Sequence, residues 1–75
     1  MFRTTVKVDG MMCGMCEAHV NDAVRKVMKV KKVKSSHKRG ETVIMTETEP
    51  DMQAIRDAIG ATGYTVTDIG CESIG

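Results

Sequence analysis

The chain begins with a stretch in which apolar and polar side chains alternate. Val6 and Val8 fall on one face of the segment from Thr4 to Val8, and this period of two predicts a first strand. Asp9 and Gly10 then break the alternation and open a loop. A strand that ends in a short, glycine-containing loop is therefore the first unit of the fold.

After this loop the apolar spacing changes to that of a helix. Val20, Val24 and Val27 recur three or four residues apart along the chain. This spacing puts their side chains on one helical face and predicts an amphipathic first helix from about Cys16 to Met28.

A β-hairpin is predicted in the middle of the chain. Residues 30–37 predict a second strand, whose clearest inward residue is Val33. Lys38–Glu41 contains the glycine of a tight turn. Residues 42–48 are rich in β-branched side chains and predict a third strand that pairs with the second.

A second helix and a fourth strand complete the pattern. Pro50 suits the first helical position, and Asp51 suits the first turn, where the helix dipole favours a negative charge. Gly60 and Gly63 are expected to end the helix. Residues 64–69 alternate again and predict a fourth strand. The apolar stripe of the second helix comprises Ala54, Ile55, Ala58 and Ile59.

The order of elements, βαββαβ, predicts a ferredoxin-like α+β sandwich, in which two helices cover one face of a four-stranded antiparallel sheet. We expect one domain over residues 1–75, with its core at about 3–70 and a loose tail at 71–75. The topology brings three loops to the end of the sheet where the first strand finishes, here called the loop end. These are Gly10–Met15, Lys38–Glu41 and Ala61–Tyr64.

Composition changes this picture in two ways. A chain of 75 residues with one Phe, one Tyr and no Trp must build a thin core, here from Val, Ile, Ala and Met. The net charge of +1 argues against a nucleic-acid-binding protein, which normally carries a clear basic excess. The acid-free basic segment Arg25–Arg39 is read as a solvated face, with docking of an acidic partner as the alternative.

The cellular setting follows from what the sequence lacks. No apolar run approaches the roughly 20 residues needed to cross a bilayer, so no membrane insertion is expected. The first residues lack the apolar segment of a signal peptide, so we expect a cytoplasmic protein. Three cysteines are an odd number, which argues against a disulfide-stapled secreted domain.

The chemistry is expected at Cys13 and Cys16, a CxxC pair between the first strand and the first helix. The helix N-terminus carries a partial positive charge that stabilises a thiolate, so the pKa of Cys16 in particular should be lowered. Thiolates are soft ligands that select Cu(I). Two sulfurs suit a low-coordinate ion, whereas Zn(II) prefers four ligands.

The segment Gly10-Met11-Met12-Cys13-Gly14-Met15-Cys16 resembles the GMxCxxC signature of the heavy-metal-associated domain family. That family includes copper chaperones and the N-terminal modules of copper-transporting P-type ATPases. Ala61-Thr62-Gly63-Tyr64 is similar to the loop that precedes the last strand in bacterial members. The resemblance covers nearly the whole chain.

The resemblance implies roles for four residues and a class of partner. Cys13 and Cys16 would bind Cu(I), Met11 would pack beneath the metal loop without binding the ion, and Tyr64 would shield the site. A copper-transporting P-type ATPase or another metal-trafficking protein would be the partner. A metal-bridged homodimer with four cysteines from two copies is also compatible with the motif. The chain is expected to be a carrier, not an enzyme.

Two features depart from the family pattern. Ser35 and His37 occupy positions of the second strand where the family usually has inward apolar residues, so this strand is expected to be shortened, shifted or looser than usual. Cys71 lies outside the motif and is expected at the far end of the sheet, about 20 Å from Tyr64 at the rise of a strand.

Alternative functions and ligands stay open at this level. A glutaredoxin-like thiol-disulfide oxidoreductase also places CxxC between a strand and a helix, although Pro50 would then have to lie near the cysteines. A Zn(II)- or Hg(II)-binding module on the same fold is a second alternative. The further candidate ligands, each less favoured than a structural or solvated role, are Met12, Met15, His19, His37 and Cys71.

Overall fold

The computed structural model describes residues 1–74, and the order of its elements matches the predicted βαββαβ pattern. The first helix begins two residues earlier than the predicted Cys16, and the second begins two residues after the predicted Pro50. The elements are β1 (Phe2–Asp9), α1 (Gly14–Val27), β2 (Lys32–Ser36), β3 (Glu41–Thr46), α2 (Met52–Ala61) and β4 (Thr65–Ser73).

The four strands form one sheet in the order β2-β3-β1-β4, and every neighbouring pair is antiparallel. α1 packs against β2, α2 packs against β4, and the two helices contact each other. This arrangement confirms the predicted ferredoxin-like sandwich. α1 connects β1 to β2, α2 connects β3 to β4, and a short turn joins β2 to β3.

The core lies between the helices and the inward face of the sheet. Alternate residues of β1 point inward, and Val6 and Val8 are almost completely buried. The helices contribute most of the predicted apolar stripes, but Val27 is 48% exposed and Ala54 is only half-buried. Burial of the remaining stripe residues is the main stabilising contribution available to so small a domain. The buried apolar residues are Val6, Val8, Met11, Val20, Val24, Val33, Ile44, Ile55, Ala58 and Ile59.

The C-terminal segment differs from the prediction. β4 continues to Ser73, and Phe2↔Ser73 and Arg3↔Glu72 are partners in its ladder with β1. The expected loose tail at 71–75 is therefore wrong for residues 71–73, and residue 75 lies outside the described residues. The reason is that β1 starts at Phe2, earlier than predicted, and supplies hydrogen-bonding partners for a longer β4.

The second strand keeps its pairing with β3 despite the polar residues in it. The ladder runs from Lys32↔Met45 to Ser36↔Glu41, so β2 is shorter than the predicted 30–37 but is not shifted. Ser35 is buried and its hydroxyl donates to Asn21 Oδ1 at 2.7 Å. Because this hydroxyl is hydrogen-bonded, its burial costs little free energy, and the strand can keep its register with Ser35 facing inward.

The ends of α2 differ slightly from the sequence-based expectation. Asp51, and not Pro50, is the boundary residue: its side chain accepts hydrogen bonds from the backbone N–H groups of Gln53 and Ala54. At the other end Gly60 remains helical, and Gly63, with a φ of 96°, turns the chain after the helix. A positive φ is the conformation that glycine adopts at lowest cost.

The three predicted loops do meet at the loop end of the sheet. The backbone N–H of Val8 donates to the carbonyl of Gly40 at 2.7 Å, which joins the end of β1 to the β2–β3 turn. A Cβ on Gly10 would lie 3.1 Å from Cδ1 of Tyr64. The loop that carries the cysteines is therefore in contact with both neighbouring loops.

The cap of α2 generates a stability prediction. Replacing Asp51 by Ala removes the acceptor for two backbone N–H groups and should lower the free energy of unfolding by about 1 kcal/mol. For a domain of this size that corresponds to a fall in Tm of roughly 4–8 °C, measurable by calorimetry or circular dichroism. The matched variant Asp51→Asn keeps an acceptor oxygen and should change Tm much less; an equal loss in both variants would contradict the capping role.

Candidate metal centre

The two cysteines of the motif lie at the start of α1. Cys13 is the residue just before the helix and has an extended backbone, with φ −162° and ψ 178°. Cys16 lies in the first helical turn, which is closed by the backbone N–H of Glu17 donating to the carbonyl of Cys13 at 3.2 Å. The change from extended to helical backbone between the two residues turns both side chains toward the same region.

The distance between the two sulfurs is short enough for one metal ion. Cys13 Sγ and Cys16 Sγ are 3.8 Å apart. With metal–sulfur bonds of about 2.3 Å, two sulfurs bound to one ion lie no more than about 4.6 Å apart. The pair can therefore contact a common ion with only small side-chain rotations.

The two thiols differ in their exposure. Cys13 is exposed to solvent, while Cys16 is half-buried and packs against the edge of the core. Gly14, between them, has open space around the position of a Cβ. One sulfur is thus accessible to an approaching molecule and the other is anchored in the protein.

The environment of Cys16 favours its thiolate. The hydroxyl of Tyr64 is the largest cause, followed by the backbone N–H of Met12; together with smaller contributions from Cys13 they lower the pKa of Cys16 from 9.0 to about 7 against an opposing effect of burial. The same hydrogen bond raises the pKa of Tyr64, because ionisation of the phenol would remove the donor. The lowered pKa of Cys16 was predicted from its place at the helix N-terminus, whereas its largest cause here is the hydroxyl of Tyr64.

Gly10 allows Tyr64 to reach Cys16. Gly10 has a φ of 107°, a conformation that other residues rarely adopt, and a Cβ at this position would press on the ring of Tyr64. The glycine of the motif therefore serves two purposes, since it turns the loop and leaves room for the aromatic ring.

The three methionines next to the cysteines divide into one buried residue and two exposed ones. Met11 is 6% exposed and belongs to the core beneath the loop. Met12 and Met15 are 80% and 71% exposed and flank the cysteines at the surface. The location of Met11 agrees with a packing residue, and its burial within an apolar cluster anchors the middle of the loop to the core.

The other candidate ligands lie elsewhere. His19 is exposed on α1, and the Nδ1 of His37 lies 2.6 Å from the carboxylate of Glu17. Cys71 pairs with Thr4 in the β1–β4 ladder, at the end of the sheet opposite the loop end. Within residues 1–74 no group of three or more His, Cys, Asp or Glu side chains is arranged to hold a metal.

Sequence reasoning missed one feature next to the site, the contact between Glu17 and His37. The two residues are far apart in the chain, so no local pattern connects them. The one sequence feature that could have indicated this contact is His37 itself, a polar residue where the family usually has an apolar one.

The chain matches the model of the heavy-metal-associated domain over residues 5–65. A mercuric reductase of Shigella flexneri is 33% identical over 64 residues, which cover 85% of this chain but 11% of that protein. This chain thus corresponds to a small part of the curated relative it matches. Among the described residues, no helix has the length and apolar character that a membrane crossing needs.

Two solved structures show the same architecture. The CopZ metallochaperone is similar with a TM-score of 0.79 and 24% identity over 87% of this chain and 98% of that one. The putative copper-ion-binding protein from Bacillus anthracis has a TM-score of 0.77 and 25% identity over 89% of this chain and 97% of that one. Both are similar to this chain over nearly their whole length.

The contact between Tyr64 and Cys16 generates a prediction for the metal-free protein. Since the pKa of Cys16 is lowered to about 7, its thiolate should form as the pH rises through neutrality and be lost by protonation below it. Replacing Tyr64 by Phe removes the main donor to the sulfur and should raise this midpoint toward 9.0. The ultraviolet absorbance of the thiolate and the rate of alkylation, followed against pH, measure the shift.

The measurement is cleanest when Cys16 is the only cysteine present. A background in which Cys13 and Cys71 are replaced by Ser isolates its titration, and Tyr64→Phe is then compared within that background. At neutral pH the alkylation rate should fall several-fold on loss of the hydroxyl. An unchanged midpoint would show that the hydroxyl does not stabilise the thiolate.

Proposed function

This chain belongs to the heavy-metal-associated domain family, and we propose that it acts as a carrier of one soft metal ion, bound between the thiolates of Cys13 and Cys16. The observation that supports this most directly is the pair of sulfurs 3.8 Å apart at an accessible rim. Soft thiolates favour soft ions, and two of them suffice for an ion that accepts two ligands. Cu(I) is the ion we propose first.

We propose that the ion leaves by thiolate exchange. A thiolate of the partner forms a bond to the metal while both cysteines still hold it, and the exposed Cys13 then releases its bond. A second partner thiolate replaces Cys16 in the same way. The metal keeps its oxidation state throughout, and each metal–sulfur bond that breaks is replaced by one that forms. No substrate bond is changed, so the protein would be a carrier and not an enzyme.

Hydrogen bonds to Cys16 support this exchange. The Tyr64 hydroxyl and the Met12 N–H lower the pKa of Cys16, which keeps a large share of that sulfur in the ligand form at neutral pH. The same donors would offset the negative charge of a bis-thiolate complex. Because proton and metal compete for this sulfur, binding should weaken as the pH falls below neutrality.

Hg(II) is a second candidate, and a specific observation favours it. The Shigella flexneri relative, 33% identical over most of this chain, is a mercuric reductase. Hg(II) is also a soft ion for which two thiolates are suitable ligands. The copper proposal is supported instead by the fold of a metallochaperone and of a putative copper-ion-binding protein.

The remaining proposals concern partner and place. The partner would be a copper-transporting P-type ATPase or another metal-trafficking protein that presents its own thiolates. We propose a cytoplasmic location, because reducing conditions keep the two thiols available. A metal-bridged homodimer remains an arrangement that the accessible rim permits. The glutaredoxin-like alternative loses its support, since Pro50 precedes α2 at the opposite end of the sheet from the cysteines.

An anaerobic Cu(I) titration against a competing chelator tests the proposal. The wild-type protein should bind one equivalent tightly, and Cys13→Ser and Cys16→Ser should each lose this binding because a single thiolate is left. Cys71→Ser is the matched control and should bind like the wild type. Tight binding that persists in either motif variant would contradict the two-thiolate site.

The identity of the metal is tested by competition. Cu(I), Hg(II) and Zn(II) are offered in pairs to the reduced protein, and the bound ion is identified by mass spectrometry. We expect both soft ions to displace Zn(II), since Zn(II) lacks two of its four preferred ligands here. Retention of Zn(II) against either soft ion would overturn the proposed selectivity.

A further inference from the structure

α1 and β2 are joined by two polar contacts that repeat at matching intervals. On α1 the participating residues are Glu17 and Asn21, and on the β2 side they are His37 and Ser35. Four residues of helix rise about 6.0 Å, and two residues of strand rise about 6.6 Å. The two contacts can therefore form side by side, and we call them the upper contact (Glu17–His37) and the lower contact (Asn21–Ser35).

The upper contact is the stronger of the two. One carboxylate oxygen of Glu17 accepts from the backbone N–H of His37 at 2.7 Å and lies 2.6 Å from its ring Nδ1. The side chains are only 32% and 26% exposed for His37 and Glu17. The backbone and ring hydrogen bonds lower the pKa of Glu17, so the carboxylate is charged at neutral pH and the hydrogen bonds are charge-assisted.

The lower contact is an internal hydroxyl network away from the cysteines. The Ser35 hydroxyl lies 2.7 Å from Asn21 Oδ1 and 2.8 Å from the hydroxyl of Thr42. The lower contact thus attaches the middle of α1 to the sheet by hydrogen bonds between side chains. Because it lies more than one helical turn beyond Cys16, it provides a comparison within the same interface.

The first turn of α1 is weak by itself. Cys13 makes no side-chain hydrogen bond to the helix, and the first helical residue is Gly14. Glycine and an unfilled cap both favour fraying of a helix end. The backbone N–H of Glu17 donates to the carbonyl of Cys13 at 3.2 Å, which joins the helix to the residue just before it. A second attachment at this turn would oppose such fraying.

The β2–β3 turn supplies that attachment on both sides of the cysteine loop. His37 holds Glu17, which directly follows Cys16. Three residues later, the carbonyl of Gly40 accepts from the N–H of Val8, just before the loop begins. The segment between Val8 and Glu17, which contains both cysteines, is therefore attached on both sides to residues of one turn.

We propose that Glu17 and His37 are positioning residues for the metal centre: the upper contact keeps the first turn of α1 formed and thereby holds Cys16 at its distance from Cys13. Its consequence for metal transfer rests on the proposed function. In the metal-free protein its consequence is local order at the helix start, which can be measured independently.

The first test is amide hydrogen exchange of the metal-free protein. In Glu17→Ala the amide of residue 17 should exchange about tenfold faster or more, since a charge-assisted hydrogen-bond pair is lost. The amide of Val24, in the middle of the same helix, should change much less. His37→Asn retains a side-chain donor at the place of Nδ1 and should restore most of the protection that His37→Ala loses.

The matched control is the lower contact. Asn21→Ala removes a contact between the same two elements and should lower overall stability without selectively accelerating exchange at residue 17. The upper contact would be merely structural if Glu17→Ala and Asn21→Ala accelerated all amides of α1 alike. That outcome would overturn the proposal, as would unchanged protection at residue 17 in Glu17→Ala.

The second test concerns the metal. Cu(I)-loaded wild type, Glu17→Ala and Asn21→Ala are mixed with a competing dithiol, and the rate of metal loss is followed. Glu17→Ala should bind one equivalent and release it several-fold faster, whereas Asn21→Ala should release it at the wild-type rate. An equal rate in all three would exclude a role of the upper contact in transfer. Failure of the wild type to bind any Cu(I) would instead count against the proposed function and leave the exchange result standing.

Discussion

The effect of the Tyr64 hydroxyl on Cys16, the largest cause of the lowered pKa of that thiol, depends on the whole fold. Tyr64 stands just before β4 and Cys16 stands in the first turn of α1, so the two meet only when β1 and β4 are paired and both helices cover the same face. The contact also requires Gly10, because a larger residue would press on the ring. One polar contact thus connects strand pairing to the ionisation of a ligand.

The loop end of the domain combines order with access. Met11 anchors the loop in the core, while Cys13 is exposed at its tip. A carrier has to hold its metal and also let a partner reach it, and this division assigns the two requirements to different residues.

Polar residues inside the sandwich attach α1 to β2 and to the β2–β3 turn at two levels. Ser35 is buried at a position where an apolar side chain would be expected, yet its hydroxyl is hydrogen-bonded to Asn21 and Thr42. His37 and Glu17 form the neighbouring contact at the start of α1. Directional hydrogen bonds fix the relative position of helix and strand more narrowly than apolar contacts, which tolerate sliding.

The order of elements could be predicted from the sequence, because periodicity and turn residues act between positions that are close in the chain. The packing of Met11 beneath the loop was implied by the resemblance to the heavy-metal-associated domain family. The extension of β4 to Ser73 could not be predicted, since it depends on where β1 begins, about 70 residues away. The same holds for the contact of Glu17 with His37 and for the place of Tyr64 as the main donor to Cys16. Hydrogen bonds between distant segments are decided by strand register and helix packing, and these exist only once the chain has folded.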